Sequence, residues 1–134
     1  VYPDGLYDGL VRVNEDYAPA KIYIAENGAA YDDPRDANGR IVDTRRIDYL
    51  HRHLTAIHRA MAQGVPVEGY LTWSLMDNFE WGFGFQKRFG LFHVDFDTLV
   101  RTPRDSAFWY RDTIAQGSVD DAPVSRNQGE TRAL

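Results

Sequence analysis

Apolar side chains recur at helical spacing in two separate stretches of the chain. The first predicts an amphipathic helix that starts near Pro3 and stops before Pro19. Its apolar positions are Leu6, Leu10, Val13 and Tyr17. The second predicts a long helix that is capped by Asp43 or Thr44 and ends at Gly64. Its apolar face consists of Ile47, Leu50, Leu54, Ile57 and Met61.

Two short runs rich in β-branched and aromatic residues predict strands. The first covers residues 21–25 and ends at the turn signal Glu-Asn-Gly. The second covers residues 67–74 and is nearly continuously apolar, as is typical of a strand buried on both faces. Further along, residues 91–96 predict an extended stretch, and residues 103–115 predict a last helix.

The predicted order of elements is helix, strand, helix, strand, long loop and helix. Strands that alternate with long helices favour parallel pairing and an α/β fold. Two parallel strands alone would leave both sheet edges and most of both sheet faces exposed. We therefore expect the chain either to oligomerise or to be part of something larger.

The composition narrows the classes of function. The 134 residues suffice for one modest domain, and a net charge of −5 without a basic stripe argues against nucleic-acid binding. Cysteine is absent, which excludes disulfides and thiol catalysis, and no apolar run approaches the roughly 18 residues of a membrane span. We predict one folded unit over residues 1–117 and a disordered, polar tail over residues 118–134. A start at Val1 without an initiator Met suggests a fragment or a processed piece.

Candidate chemistry lies where the first predicted strand ends. Glu26 follows this strand, and the active sites of parallel α/β folds form at that end of their sheets. A carboxylate there can attack an anomeric carbon or act as an acid or base. Taken alone, however, Glu26 before Asn27 and Gly28 is better interpreted as a solvated turn carboxylate.

The second predicted strand leads into an aromatic segment, residues 72–82. It contains two Trp, two carboxylates and an amide. Aromatic faces stack on the C–H faces of a pyranose, while carboxylates and amides hydrogen-bond its hydroxyls, so this composition fits a sugar site. An aromatic mini-core that closes the rim of a barrel explains the same residues equally well.

Several motifs stand in order along the chain. Tyr-Ile-Ala-Glu-Asn-Gly at residues 23–28 is similar to an Ile-Thr-Glu-Asn-Gly signature, and residues 73–81 are similar to a Trp-Ser-Leu-Met-Asp-Asn-Phe-Glu-Trp stretch. Residues 88–91 and 102–106 resemble the closing segment and final helix start of the same family. Together, over about residues 2–115, the chain resembles glycoside hydrolase family 1, the family of β-glucosidases.

This resemblance implies a fold and a set of roles. The fold would be the C-terminal segment of a (β/α)8 TIM barrel, with the last two β/α units and the preceding helix. Glu26 matches the nucleophile that forms the glycosyl-enzyme intermediate of retaining hydrolysis. Phe83, near the aglycone entrance, carries less weight. The residues that match the glycone pocket are Trp73 as stacking platform, Glu80 and Trp81 as hydroxyl ligands, and Phe89 as lining.

The departures from the family pattern matter as well. Ala25 replaces the commoner Thr before the nucleophile. The family's acid/base, a Glu in an Asn-Glu-Pro motif on an earlier strand, has no counterpart, because Asn14-Glu15-Asp16 lies in a predicted helix and lacks the Pro. We therefore expect the isolated chain to be inactive on its β-glycoside or oligosaccharide substrate, and to need the remaining N-terminal barrel segment as a partner. A non-catalytic sugar-binding fragment and an inactive truncated product remain alternatives.

Other polar residues carry no predicted chemistry. His51 and His53 stand two positions apart on a predicted helix and do not face each other, so they make a poor metal pair. Asp32 and Asp33 lack the spacing of a calcium loop and are interpreted as solvated loop residues. We expect a protein without a metal or cofactor, without a membrane span, and located in the cytoplasm.

Overall fold

A computed structural model describes residues 1–119 of the chain. The predicted tail over residues 118–134 therefore lies, except for its first two residues, outside the described part. The helices are α1 (Asp4–Tyr17), α2 (Thr44–Ala62) and α3 (Asp105–Gln116), and a 3₁₀ turn covers Trp81–Phe83. The strands are β1 (Ile22–Asn27), β2 (Val67–Thr72), β3 (Phe92–Val94) and β4 (Arg101–Pro103).

The two long predicted helices are confirmed, with local differences at their ends. α1 is followed by Ala18, its C-cap residue, which adopts a left-handed conformation with φ of 45° before Pro19. α2 ends ahead of Gly64, whose φ of 88° is a conformation that favours glycine. Asp43 holds the N-cap position of α2, but its side chain makes no cap hydrogen bond. The prediction for Met61 was wrong, because this side chain is 46% exposed and the neighbouring Ala60 is buried instead.

β1 and β2 form a parallel two-stranded sheet with α2 as the crossover, as the alternation of elements predicted. α1 and α2 cover one face of this sheet. The core between these layers consists of Leu10, Ile24, Ile57, Ala60 and Val65. The opposite face exposes Tyr23 and Leu71, which are 59% and 56% accessible to solvent. The prediction that β2 is buried on both faces is therefore wrong for this chain, because no described residues form a layer over the second face.

A second core joins the long loop and α3 to α2. It consists of Ile47, Leu50, Leu91 and Trp109. β3 confirms the predicted extended stretch and pairs antiparallel with β4, a strand that the sequence pattern did not predict. This hairpin leads directly into α3, which begins two residues later than predicted. The residue after α3, Gly117, has a φ of 66°. The C-terminal end of the loop between β2 and β3 is therefore packed against α2 and α3.

Candidate active site

The carboxyl ends of β1 and β2 lie side by side. Asn27 pairs with Thr72 in the parallel register, and the amide of Trp73 donates a hydrogen bond of 2.9 Å to the Asn27 carbonyl. Glu26 is exposed at the end of β1, one residue before this contact. The structure thus brings Glu26 and the start of the aromatic segment to one edge of the sheet, where parallel α/β folds form their sites.

The loops that follow the two strands are in direct backbone contact. A Cβ atom added to Gly28 would lie 1.7 Å from the carbonyl oxygen of Trp73, so only glycine allows this approach. The peptide bond between Trp73 and Ser74 is cis. Beyond it, the Ser74 N–H donates to the Phe89 carbonyl at 3.4 Å, and the Leu91 N–H donates to the Ser74 carbonyl at 2.8 Å. The aromatic segment therefore runs beside residues 89–92 as it leaves the sheet edge.

Trp73 and Glu80 form a hydrogen-bonded pair. The indole Nε1–H of Trp73 donates to Oε1 of Glu80 at 3.0 Å, and the Glu80 amide donates to the Gly84 carbonyl at 2.7 Å. Both the side chain and the backbone of Glu80 are thus held. The indole occupies one carboxylate oxygen, so the other can accept a hydrogen bond from a ligand.

Three of the residues matched to the glycone pocket line one open cleft of about 350 Å³. Its lining consists of Ala30, Glu80, Trp81, Gly82, Phe83, Lys87 and Phe89. Trp81 projects into solvent with 85% of its surface exposed. Lys87 lies with its ammonium 5.4 Å from the centre of the Phe83 ring. A carboxylate, an ammonium and aromatic faces around one cleft provide the donors, acceptors and stacking surfaces that a sugar needs.

The remaining two predicted site residues lie outside that cleft. Trp73 lines a second open cleft of about 340 Å³, together with Met76, Asn78 and Arg101 among others. It is connected to the first cleft through its hydrogen bond to Glu80. Glu26 lines neither cleft. The described residues therefore assemble part of the predicted pocket and leave Glu26 at an open edge.

A largely buried cluster of three aspartates and three arginines holds the aromatic segment in place. We call it the ion network; its members are Asp33, Asp43, Asp77, Arg46, Arg88 and Arg104. The formal charges of its side chains cancel, which is the condition under which charges are tolerated in a protein interior. It joins the loop before α2, the first turn of α2, the aromatic segment and the start of α3.

Asp77 is the most heavily hydrogen-bonded member of the ion network. Its Oδ1 accepts from Gly90 N–H at 2.9 Å and from Arg104 Nη1 at 3.1 Å. Its Oδ2 accepts from Val94 N–H at 3.2 Å, from Arg104 Nη2 at 3.0 Å and, more weakly, from Arg88 Nη1 at 3.4 Å. Of the two carboxylates in the aromatic segment, this one is buried and unavailable to a ligand, so Glu80 alone can serve a sugar.

Arg46 connects the other aspartates of the ion network. Its Nη1 donates to Asp33 at 2.6 Å and to Asp43 at 2.7 Å, and its Nη2 donates to the Arg88 carbonyl at 2.7 Å. The interpretation of Asp33 as a solvated loop residue was therefore wrong, because its side chain is only 4% exposed. Arginines from α2 and from the start of α3 cover it. The Nε of Arg104 lies 3.1 Å from Asp33 Oδ2 but is not aligned for a hydrogen bond.

The sequence contained one signal for the ion network. Arg46 stands four residues before Leu50 and eleven before Ile57, a spacing that places it on the buried face of α2. An arginine at such a position requires a buried carboxylate partner. The partner itself lies in a distant loop, so the pattern of α2 alone could not identify it.

The histidines have structural contacts. Nδ1 of His53 lies 2.7 Å from the Tyr49 carbonyl, and burial lowers the pKa of His53. Nδ1 of His93 lies 3.1 Å from Arg35 Nη2, and burial, followed by the nearby Arg104 and Arg35, lowers the pKa of His93. Within residues 1–119, no group of three or more His, Cys, Asp or Glu side chains is arranged to hold a metal ion.

Comparison with known proteins identifies the family. The model of glycosyl hydrolase family 1 matches residues 1–118. The chain therefore belongs to glycosyl hydrolase family 1, as its motifs predicted. It is 52% identical over 114 residues to beta-glucosidase A of Acetivibrio thermocellus, and the match covers 85% of this chain and 25% of that protein.

Two further relatives show the breadth of the similarity. The chain is 45% identical over 121 residues to beta-glucosidase A of Thermotoga maritima, covering 90% of this chain and 27% of that protein. It is 51% identical over 112 residues to a 6-phospho-beta-galactosidase of Streptococcus mutans, covering 83% of this chain and 24% of that protein. The solved family 1 β-glucosidase from Thermotoga maritima superimposes with a TM-score of 0.89 at 45% identity over 90% of this chain.

The chain spans about a quarter of the length of these relatives. Its structural neighbours are family 1 TIM-barrel β-glucosidases, of which it matches about 27%. The barrel itself is not present in the described residues, which contain one parallel strand pair and one short hairpin. No helix among residues 1–119 is both long and apolar enough to cross a membrane.

Proposed function

We propose that the chain is the C-terminal part of a retaining β-glucosidase-type barrel and that Glu26 is its nucleophile. The glycone-binding residues in this proposal are Trp73, Glu80, Trp81 and Phe89. One observation carries the proposal. Glu26, the penultimate residue of β1, and Trp73, which follows the adjacent parallel strand β2 and donates to Glu80, lie at the same edge of the sheet.

Retaining hydrolysis would use Glu26 in two steps. In the first, a Glu26 carboxylate oxygen attacks the anomeric carbon, the bond to the aglycone oxygen breaks, and a general acid protonates that oxygen. In the second, water attacks the anomeric carbon, the former acid accepts the water's proton, and Glu26 leaves as a carboxylate. The reaction therefore needs a second carboxyl group about 5–5.5 Å from the first.

Glu80 is better suited to sugar binding than to this proton transfer. One of its oxygens already accepts the indole N–H of Trp73, and the cleft around it is lined by aromatic residues. We therefore assign the acid/base to a barrel segment outside this chain. Without an acid, a glycosidase loses about 10²–10⁴-fold in rate for leaving groups that need protonation. The isolated chain should accordingly show negligible turnover.

The proposed partner is the remainder of the barrel, about three quarters of the length of the relatives. Within the described residues β1 and β2 pair only with each other, so each has one open edge that can accept another strand. Tyr23 and Leu71 leave an apolar patch on the uncovered sheet face. A barrel would cover this face with side chains from its other strands.

Reconstitution of the enzyme tests the proposal. The full chain would be coexpressed with the part of Thermotoga maritima beta-glucosidase A that lies outside the match, and the complex would be assayed with p-nitrophenyl-β-glucoside. We expect turnover by this reconstituted enzyme, none by the isolated chain, and none after Glu26→Gln. Glu15→Gln is the matched control, because Glu15 is an exposed carboxylate on α1. Robust turnover by the chain alone that Glu26→Gln abolishes would overturn the assignment of the acid/base to another segment.

A sugar-binding module is the second candidate. The observation that favours it is the cleft around Glu80, Trp81 and Phe89, which the chain forms without a partner. Binding of glucose by the isolated chain, measured as a change in tryptophan fluorescence that Trp81→Ala removes, would support this function. Aggregation or broad NMR lines would instead favour an inactive truncated product.

The glycone and the location are further parts of the proposal. Relatives of the chain are named as β-glucosidases, as a 6-phospho-beta-galactosidase and as a bifunctional beta-D-glucosidase/beta-D-fucosidase. The reconstituted enzyme should therefore be assayed with p-nitrophenyl glucoside, fucoside and 6-phosphogalactoside in parallel, and we propose the glucoside as the preferred substrate.

A cytoplasmic location stays a prediction from the sequence.

A further inference from the structure

Asn27, the last residue of β1, accepts several hydrogen bonds from β2 and from the residue that follows it. Its carbonyl oxygen accepts hydrogen bonds from Trp73 N–H at 2.9 Å, from Thr72 Oγ1 at 3.3 Å and, weakly, from the Tyr70 hydroxyl at 3.4 Å. Its side-chain Oδ1 accepts from the same Tyr70 hydroxyl at 2.9 Å. We call these contacts the Asn27 cluster. They fix both the backbone and the side chain of the residue that follows Glu26.

Glu26 itself lies in an irregularity of the sheet. Ile24 pairs with Tyr70 and Asn27 pairs with Thr72, so three steps along β1 correspond to two steps along β2. The extra residue forms a β-bulge at residues 25–26, both of which are exposed. A bulge bends its strand and re-aims a side chain, and bulges often occur next to active sites. The Asn27 cluster restores the register immediately after the bulge, so it determines where the bulged residues point.

Tyr70 is itself held firmly on the helical side of the sheet. It packs against both hydrophobic cores, and its ring lies edge-on to Tyr110 with the ring centres 6.4 Å apart. Burial, followed by neighbouring Tyr110 and Tyr49, raises the pKa of Tyr70, so its hydroxyl keeps its proton to a higher pH than an exposed tyrosine does. Burial also raises the pKa of Tyr49, and a hydrogen bond with Asn27 opposes that rise. Two phenols from different elements thus converge on the Asn27 side chain.

We propose that Asn27, held by Tyr70 and Trp73, is a positioning residue for the nucleophile Glu26. This inference rests on the proposed function. Asn27 does not touch the substrate. It sets the direction of the Glu26 side chain and the separation between Glu26 and Trp73, the residue that orients Glu80. Catalysis is sensitive to such geometry, because a displacement of about 1 Å can cost on the order of 10²-fold in rate.

Two substitutions that each remove one tyrosine hydroxyl test this role. Tyr70→Phe removes the hydroxyl that donates to Asn27. Tyr110→Phe is the matched control, because its hydroxyl donates at 3.4 Å to the Tyr70 carbonyl and makes no contact with Asn27. In the reconstituted enzyme, Tyr70→Phe should lower kcat about 3- to 10-fold, the worth of one neutral hydrogen bond, and change KM by less than about twofold. Tyr110→Phe should leave both constants unchanged.

A second readout uses the full chain by itself. Hydrogen exchange of the Trp73 amide should be faster in Tyr70→Phe than in Tyr110→Phe, because only the former loosens the carbonyl to which this amide donates. Asn27→Ala should lower kcat further than Tyr70→Phe. Adding Tyr70→Phe to Asn27→Ala should cause a smaller loss than Tyr70→Phe causes alone, because only the weak bond of the Tyr70 hydroxyl to the main-chain carbonyl of residue 27 then remains.

The outcomes separate the two proposals. An inactive wild-type complex, or one unaffected by Glu26→Gln, overturns the proposed function. Equal effects of Tyr70→Phe and Tyr110→Phe on kcat, or equal Trp73 exchange in both variants, overturn the positioning role. A Tyr70→Phe variant that loses thermal stability but keeps its kcat shows that Tyr70 is merely structural.

Discussion

Replacement of Asp77 by Asn perturbs the ion network with little change in shape. The carboxylate receives donors on both oxygens: Gly90 N–H and Arg104 on one, Val94 N–H, Arg104 and Arg88 on the other. An amide in either orientation would therefore turn its NH₂ group towards at least two N–H donors. The substitution also leaves the network with one uncompensated positive charge.

The expected cost follows from these contacts. Removing one partner of a buried ion pair costs about 3–5 kcal/mol, mainly because the remaining charge stays buried. Domains typically have a free energy of unfolding of about 5–15 kcal/mol, so Asp77→Asn would remove a large share of the stability of the chain. Asp97→Asn is the matched control, since Asp97 is exposed in the turn between β3 and β4, and it should change stability by less than about 0.5 kcal/mol.

Urea unfolding followed by circular dichroism measures this difference as a shift of the midpoint at constant slope. A double-mutant cycle sharpens the test, because Asp77→Asn combined with Arg104→Gln restores charge balance. We expect the double variant to lose at least about 1 kcal/mol less than the sum of the single variants. Additive losses, or a loss below about 1 kcal/mol for Asp77→Asn, would refute the reasoning that this carboxylate neutralises Arg104.

Two further predictions concern backbone contact and alkaline pH. Gly28→Ala should cost about 1–3 kcal/mol and abolish turnover of the reconstituted enzyme, because the new methyl would overlap the Trp73 carbonyl. Gly9→Ala is the control: an added methyl there meets open space on α1, so it should neither lower the urea midpoint nor change kcat. Burial raises the pKa of Tyr70, so above pH of about 10 the unfolded chain loses a proton that the folded chain keeps. The free energy of unfolding should then fall as pH rises, by up to about 1.4 kcal/mol per pH unit for this tyrosine. Urea titrations at increasing pH should show a shallower fall in Tyr70→Phe than in wild type. The control Tyr17→Phe, at an exposed position, should fall as steeply as wild type.

Much of the secondary structure could be predicted because it depends on local periodicity. The apolar spacing of α1 and α2 and the β-rich runs of β1 and β2 predicted those elements and their parallel pairing. β4 was missed, since a three-residue strand has too few positions to show alternation and depends on its partner β3. Met61 was misplaced because, at the end of α2, helical spacing does not reveal where the covering layer stops.

The spatial arrangement of the predicted site residues could be foreseen from the sequence for some of them and not for others. Glu80, Trp81 and Phe89 line one cleft as a set, because they lie within ten residues of one another in one loop. The composition of residues 72–82 alone fitted a sugar site and an aromatic mini-core equally well. Trp73 contacts this set through Glu80 alone. The bulge that carries Glu26 could not be predicted, because the register between β1 and β2 is a property of two strands that lie more than forty residues apart.

By itself, the sequence determined the family, the order of the elements and the placement of Glu26 and the aromatic segment at strand ends. These features depend on neighbouring residues and on motifs whose spacing is visible along the chain. Only the tertiary structure decided that Asp33 and Asp77 are buried partners of arginines and that Asn27 is the junction of the sheet. Burial and hydrogen bonding there depend on groups remote in sequence, as with Asp77 and Arg104, which stand 27 residues apart. A charged residue in a polar stretch is expected to be solvated when only its sequence neighbours are considered. Where the fold brings an opposite charge from a distant part of the chain against it, the pair can be buried and joins the two segments.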